Sequence, residues 1–258
     1  MERSTTHPKR FFLGLTGGSG HAYAERLLCE LLHQGAAVDL SVTEAGCKVL
    51  RHERGVDAGV RGERLEEALA QWLEPLGVRS SDLERVRVFP SDAIEAPAAS
   101  GTSLTGGVIV APCSMGTLAR VVAGFSSNLV ERAADVALKE GRPLLLMPRE
   151  TPLSEIHLEN MLRAVRLGAY CLPCMPGFYH HPKTIDDLVG HVVGKALDRL
   201  GVEHDVGTRW KGELEPPLEA GVGPGRTTAA CEDDSPGRSG SGADVPDTQA
   251  KSSGETNR

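Results

Sequence analysis

The sequence predicts one doubly wound α/β domain, in which a mostly parallel sheet lies between two layers of helices. Short apolar segments alternate along the chain with amphipathic segments of helical period. The apolar segments are hydrophobic on both faces, as the strands of a parallel sheet covered on both sides are. Hydrophobic residues make up 40% of the 258 residues, which is enough for a sizeable core.

The first half of the predicted domain contains three strands and two helices. The first strand is the apolar run FFLGLT at 11–16, and a glycine-rich turn follows it. A helix at 21–34 places its leucines on one face and ends at Gly35, because glycine readily adopts the left-handed conformation that follows a helix. The next elements are a strand at 36–42, an amphipathic helix at 63–74 and a short strand at 86–89.

The second half continues the alternation. The strand GGVIVAP ends at a proline, and the run PLLLMP is apolar throughout, so these predict strands at 106–112 and 143–148. Helices are predicted at 114–122, 128–140, 153–167 and 184–200; Asn128 caps the second of these and Gly141 stops it. This order is typical of Rossmann-like and flavodoxin-like three-layer folds, whose ligands bind beyond the carboxyl ends of the strands.

Composition changes towards both ends of the chain. Residues 212–258 carry nine acids against four bases and contain no Phe, Trp, Tyr, Ile or Met. We predict a disordered acidic tail of Gly, Ser and Pro there, a disordered leader at 1–9 and the folded domain between them at 10–211.

Charge and cysteine content limit the classes of function. A net charge of −7 does not fit a protein that grips nucleic acid nonspecifically. No apolar run reaches the roughly 20 residues of a membrane span, and the start does not follow the secretory pattern. We therefore expect a cytoplasmic protein whose six cysteines stay reduced.

The turn from Thr16 to Gly20 connects the first strand to the first helix. Glycines let a ligand approach the backbone, and a helix start offers free amides, so the turn is suited to an anion. Tyr23 stands where the dinucleotide pattern G-x-G-x-x-G has its third glycine. The turn therefore favours the phosphate of a mononucleotide, and a tight turn without a ligand is the alternative.

Hydroxyl side chains follow two further strands. The segment from Ser114 to Thr117 opens a helix after the strand at 106–112, and Thr43 follows the second strand. These groups would share an edge of the sheet with the glycine-rich turn. Capping of a helix by Ser114 is the alternative.

Cations and carboxylates occur at two other places. Arg132 and Lys139 are seven residues apart and share one helix face, where they would bind a phosphate or simply face solvent. Arg149 and Glu150 follow the strand at 143–148. They would supply a phosphate clamp beside a proton-transfer group, or form a structural ion pair.

The loop at 176–182 combines aromatic rings, a phenol and two imidazoles. His180 and His181 lack a further ligand at a standard spacing, so a metal site is not favoured. Cys171 and Cys174 form a C-x-x-C pattern within an apolar strand, where ordinary buried thiols are favoured over a redox centre.

Long stretches of the chain resemble the flavin prenyltransferase family, the UbiX-like flavoproteins. The resemblance runs from about Phe11 to Gly212 and rests on GLTGGSGHAYAERLL, SGTS, APCSMGTLA, NLVERAADVALKEGRPLLLMPRETPLSEIHLENM and PGFYHHP. It implies binding of reduced FMN and of dimethylallyl monophosphate, without a metal. It also implies that the prenyl group is joined to N5 and C6 of the flavin, and that prenylated FMN passes to a UbiD-type decarboxylase. A homo-oligomer, commonly a dodecamer with sites at subunit junctions, is implied as well.

The same resemblance assigns residues to three sets. The FMN-binding set is Gly17, Gly18, Ser19, Thr43, Ser114, Met115, Gly116, Thr117, Arg132 and Arg149. The prenyl-phosphate set is Ser100, Gly101, Lys139, Arg149, Tyr179 and Lys195. The catalytic set is Glu53, Glu150, Lys139 and Tyr179, with Glu150 a candidate base for the proton lost on ring closure.

The chain departs from the family pattern at a few positions. Lys195 stands where members usually have arginine, so one charge is kept and bidentate geometry is lost. Gly18 replaces an alanine, Thr43 replaces a serine, and Ile94 lies where one branch has tryptophan.

The sequence is also compatible with two other functions. One is an FMN-dependent oxidative decarboxylase of cysteine-ending substrates, which needs no second phosphate site. The other is a non-catalytic flavin carrier subunit of an aromatic-acid decarboxylase, which tolerates the loss of Glu150 and Lys139. The presence of these residues and of the other cations favours the prenyltransferase.

Overall fold

Six parallel strands form one sheet at the centre of the computed structural model, which describes residues 9–103 and 105–207. The strands are β1 (Arg10–Leu15), β2 (Ala37–Val42), β3 (Val86–Val88), β4 (Val108–Cys113), β5 (Leu144–Pro148) and β6 (Tyr170–Cys171). Their order is β3-β2-β1-β4-β5-β6, and every neighbouring pair is parallel. The predicted fold class is confirmed. The predicted tail and the predicted leader, except for Lys9, lie outside the described residues.

Helices connect the strands and cover both faces of the sheet. They are α1 (His21–His33), α2 (Glu44–Arg54), α3 (Leu65–Leu73), α4 (Ser80–Leu83), α5 (Met115–Val122), α6 (Leu129–Lys139), α7 (Glu155–Arg166) and α8 (Ile185–Leu200). Short 3-10 helices occupy Glu74–Leu76 and Pro97–Ala99. Every helix predicted from the sequence is present within one or two residues of its predicted ends, and α2 and α4 are additional. None of these helices has the length and apolar character needed to cross a bilayer.

Two apolar layers hold the helices on the sheet. β1 illustrates the alternation, because Phe11, Leu13 and Leu15 face one layer while Phe12 faces the other. The first layer packs under α1, α3 and α8, and the second packs under α5 and α6. Full burial of a leucine or phenylalanine side chain stabilises the fold by about 1.5–3 kcal/mol, so these two layers fix the helices firmly.

The strand order reverses at β1, because β2 lies on one side of it and β4 on the other. The chain leaves β1 towards α1 and leaves β4 towards α5. Helices that follow neighbouring strands on opposite sides of the reversal leave a crevice between their starts. The turn after β1 and the start of α5 therefore border the same crevice.

Cys171 lies in the short strand β6, and Cys174 lies just beyond it. Both are free thiols, as are Cys29, Cys47 and Cys113. Burial raises the pKa of Cys174 to about 12, against a small lowering by Arg149. A thiol with so high a pKa is protonated at neutral pH, as expected of a packing residue rather than a redox centre.

Candidate active site

Thr16 joins the ends of β1 and β4. Its hydroxyl donates to the carbonyl of Pro112 at 2.7 Å and accepts from the amide of Ser114 at 2.8 Å. The side chain is fully buried. A Cβ added at Gly18 would lie 3.3 Å from the amide nitrogen of Ser114, so the glycine-rich turn is pressed against the start of α5. Thr16 and Gly18 thus set the distance between the two segments for which the sequence predicts a shared ligand.

A carboxylate of the chain itself occupies the start of α1. Glu53 Oε2 accepts from the amides of Gly20 at 3.0 Å and His21 at 2.9 Å. Burial alone would raise the pKa of Glu53, but hydrogen bonds from the Ser19 hydroxyl and the two amides outweigh burial and lower it. Glu53 is therefore ionised, and it already neutralises the positive end of α1.

His21 lies directly behind the turn. Its Nε2 is 3.1 Å from the carbonyl oxygen of Thr16, and the residue is fully buried. Burial lowers the pKa of His21, so the imidazole is neutral at pH 7. A neutral ring whose Nε2 donates to Thr16 supports the turn without adding charge.

The start of α5 carries a connected set of hydroxyls. Ser114 Oγ accepts from the amide of Thr117 at 3.2 Å and donates to its hydroxyl at 3.0 Å. Arg120 reaches Thr117 Oγ1 at 3.3 Å and pairs with the buried Glu131 at 2.5 Å. Ser114 therefore caps α5, which is the alternative role considered for it from the sequence. The amides of Met115 and Gly116 lie in the first turn of α5, where the helix itself provides no carbonyl acceptor for them.

Thr43 also caps a helix. Its hydroxyl accepts from the amide of Gly46 at 3.2 Å, while its own amide donates to Leu15 at 2.9 Å. Thr43 is thus held at the carboxyl end of β2, beside the glycine-rich turn. A Cβ added at Gly17 would lie 2.8 Å from Cβ of Ala45, so this turn is also close to the start of α2.

Arg149 brings the end of β5 to the same turn. Its Nε donates to the carbonyl oxygen of Ser19 at 3.2 Å. Glu150 follows, half-buried, with Oε1 accepting from the amide of Thr151 at 3.1 Å. Together with Glu53 and Ser114, these groups border one edge of the sheet.

A second group of predicted residues lies at the amino-terminal ends of the strands, opposite the glycine-rich turn. Lys139 ends α6, only a few residues before β5 begins, whereas Arg149 follows the end of β5. The five-residue strand β5 lies between Lys139 and Arg149 and puts the two residues on the order of 15 Å apart. Gly101 lies beside Lys139, since a Cβ added there would be 3.3 Å from Nζ. Ser100 is its neighbour in the chain, so these three residues form a group apart from Arg149 within one chain.

Arg132 and Arg142 tie the loop of this second group to α6 and β5. Arg132 Nε donates to the carbonyl of Ala99 at 3.2 Å, and its guanidinium pairs with Asp135 at 3.1 Å. Arg142 donates to the carbonyls of Ser103 and Gly101. The loop is therefore fixed, and Arg132 is engaged with it rather than with the glycine-rich turn.

Tyr179 and Lys195 form a third group. Tyr179 is partly exposed and contacts the rings of His180 and His191, and Lys195 follows His191 by one turn of α8. Within 9–103 and 105–207, no cluster of three His, Cys, Asp or Glu side chains is arranged to hold a metal ion.

Thr16 and Arg54 support the site through contacts that the sequence alone does not predict. Thr16 was part of a recognised turn, but its bond to β4 depends on strand order. Arg54 fixes the end of α2, because its Nε donates to Glu25 at 2.8 Å and Trp72 donates to the same carboxylate at 2.7 Å. Glu53 immediately precedes Arg54, so this network also holds the carboxylate that caps α1. The threonine and acid at 43–44 are a helix-start signal that would have revealed α2.

Comparison with known proteins identifies relatives of the chain. Residues 1–197 match the model of the family described as Flavoprotein. The flavin prenyltransferase UbiX of Halalkalibacterium halodurans is 46% identical over 211 residues, covering 82% of this chain and 98% of its own length. The flavin prenyltransferase UbiX of Pseudomonas aeruginosa is 42% identical, covering 79% and 94%.

Two solved structures share the fold. The crystal structure of AnUbiX (PadA1) in complex with FMN and dimethylallyl pyrophosphate has a TM-score of 0.68 and 32% identity, covering 80% of this chain and all of its own. A dodecameric FMN-dependent UbiX-like decarboxylase from Escherichia coli O157:H7 has a TM-score of 0.66 and 37% identity, covering 79% and 100%.

Proposed function

Because the chain belongs to the flavin prenyltransferase family of flavoproteins, we propose that it joins a dimethylallyl group to N5 and C6 of reduced FMN. The chain is an enzyme of the prenyltransferase class, and its flavin is FMN. The observation that best supports the specific reaction is the crevice at the strand reversal, where Thr16 joins the glycine-rich turn to the start of α5.

The residues of this crevice fit FMN. The close approach of Gly18 to Ser114 leaves backbone rather than side chains at the bottom of the crevice, as a flat ring system requires. Glu53 occupies the start of α1, so we assign the flavin phosphate to the start of α5, at Ser114, Met115, Gly116 and Thr117. Gly17, Gly18, Ser19, Thr43 and Arg149 would border the ring system. When bound, reduced FMN supplies the nucleophilic nitrogen and carbon to which the prenyl group is joined.

The chain's cations are suited to a phosphate ester. Departure of an allylic phosphate is easier when its charge is neutralised, and Lys139, Arg149 and Lys195 supply positive charge while Tyr179 donates a hydrogen bond. We assign Ser100 and Gly101 to the same subsite. Glu150 would accept the proton lost on ring closure, and Glu53 would hold the turn that orients the flavin.

A second copy of the chain would bring the separated groups together. Lys139 with Ser100 and Gly101 lies at the edge of the sheet opposite Arg149 within one chain, so a site containing all of them needs two copies. α7 exposes Leu158, Leu162 and Val165, each at least half accessible and spaced along one helix face. A homo-oligomer, a dodecamer as in the similar Escherichia coli structure, would cover that apolar face.

The prenylated FMN would be handed to a UbiD-type decarboxylase, in ubiquinone biosynthesis or in another pathway, and we place both proteins in the cytoplasm. The proposal is tested by incubating the full chain anaerobically with reduced FMN and dimethylallyl monophosphate, with the diphosphate in a parallel sample. We expect a flavin heavier by one prenyl unit in mass spectra with the monophosphate. Unchanged FMN with both donors would refute the proposed reaction.

A further inference from the structure

Three aromatic rings form a cluster in the third group of predicted residues. His180 and His191 are stacked, with ring centroids 4.9 Å apart and 4° between their planes. Tyr179 meets both edge-on, at centroid distances of 5.6 Å and 5.5 Å. Edge-on packing of this kind is a favoured aromatic geometry, so the two imidazoles fix where the phenol ring lies.

The backbone around the cluster leaves little freedom. A Cβ added at Gly177 would lie 3.0 Å from Cε1 of Tyr179 and 3.3 Å from Nε2 of His191, so only glycine fits there without displacement. His181 has a φ of 52°, and its amide donates to Phe178 at 3.1 Å, which closes a tight turn. The loop therefore places Tyr179 against His191 of α8.

His180 has an unfilled hydrogen-bonding capacity. Both of its ring nitrogens are shielded from solvent and have no hydrogen-bond partner among the residues that the structure describes. A buried polar atom costs free energy unless it is hydrogen-bonded, so a hydrogen bond from one of these nitrogens to a bound molecule would recover that cost.

The charges around the cluster indicate the nature of that molecule. Lys195 lies one turn beyond His191 on α8, and the pKa of His191 is lowered by burial, then by His180 and then by Lys195. Asp187 lies one turn before His191, but its carboxylate is engaged by the amides of Lys183 and Thr184 at 2.8 and 2.9 Å. A surrounding with a lysine, a phenol and an imidazole donor favours an anion with several acceptor oxygens.

Building on the proposed function, we propose that His180 and His191 complete the ester subsite in different ways. His191 is a positioning residue whose flat ring holds Tyr179. His180 is a binding residue that donates a hydrogen bond from a ring nitrogen to the phosphate of the prenyl ester. The role of His191 therefore depends only on the shape of its ring, whereas the role of His180 depends on a ring nitrogen that donates a hydrogen bond.

Phenylalanine at each position separates these two roles. Calorimetry with the full chain loaded with oxidised FMN, which is not the reactive form, measures the affinity for dimethylallyl monophosphate. Quenching of flavin fluorescence measures the affinity of the flavin-free chain for FMN. His191→Phe should bind the ester within about twofold of the unmodified chain, while His191→Ala and His180→Phe should bind it about tenfold more weakly or worse. FMN affinity should stay unchanged in all three, and the exposed His33→Gln serves as the control without effect.

Each deviation from this pattern has a definite meaning. Unchanged ester affinity in His180→Phe would overturn the hydrogen bond to phosphate. Equal weakening by His191→Phe and His191→Ala would overturn the positioning role of the ring. If the unmodified chain bound FMN but no ester, the proposed function itself would be overturned. This result is distinct from a failure of the roles assigned to His180 and His191, because it concerns the unmodified chain rather than the variants.

Discussion

Replacement of Thr16 by valine tests whether its hydroxyl holds the two halves of the crevice together. Valine has nearly the same shape, but it leaves the buried amide of Ser114 and the carbonyl of Pro112 without their partner. Leaving a buried polar group unsatisfied costs about 1–3 kcal/mol, so two such groups predict a loss of about 2–6 kcal/mol in the free energy of unfolding. Because the same bonds position the glycine-rich turn, FMN affinity should fall as well.

Thr16→Ser is the matched control, since it keeps the hydroxyl and removes one buried methyl group, at a cost of about 1 kcal/mol. Urea unfolding followed by tryptophan fluorescence, at one fixed protein concentration, compares the midpoints of the three proteins, and flavin fluorescence gives their FMN affinities. If Thr16→Val were as stable and bound FMN as tightly as Thr16→Ser, the hydroxyl would not connect β1 to β4 in the way described.

Three further predictions follow from other features. If two copies share each site, Lys139→Ala and Glu150→Gln should each be inactive alone, but co-assembled in equal amounts they should recover about a quarter of the unmodified activity in the prenylation assay; no recovery would place the site within one chain. Burial lowers the pKa of both His21 and His191. In the unfolded chain these histidines take up protons near their ordinary pKa of about 6.5, whereas in the folded chain they stay neutral, so the free energy of unfolding should fall as the pH decreases from 7.5 to 5.5. Urea midpoints that do not change over this range would contradict this sign. Lys195→Arg should tighten ester binding by supplying a bidentate donor, as calorimetry would show, and an unchanged affinity would place this side chain away from the phosphate.

The strands and most helices were predictable because their signals are local. β1, β4 and β5 are apolar on both faces, and the helices that cover them show an apolar stripe. α2 was missed because the segment is strongly polar overall and its buried face is narrow, with only Gly46, Cys47 and Leu50 buried. A short apolar face among many charged residues is easily read as a solvated loop.

The candidate site was predictable only in part, and for a related reason. The positions of Ser114 and Arg149 follow from the rule that ligands bind at the carboxyl ends of parallel strands. The contact of Glu53 with the amide of His21 joins residues 32 apart in the chain, and it depends on how α2 is oriented. The distance of Lys139 from Arg149 likewise appears only when the direction of α6 relative to β5 is known.

Glu53 makes the two sides of the crevice unequal for an anion, because it occupies the start of α1. The starts of α1 and α5 both lie beside the crevice, and either would attract an anion if its amides were open. Because the carboxylate already engages the amides of Gly20 and His21, an anion gains less at the start of α1 than at the start of α5. With the flavin phosphate at α5, as proposed, a side chain that never touches the phosphate would set the direction in which the ring system lies.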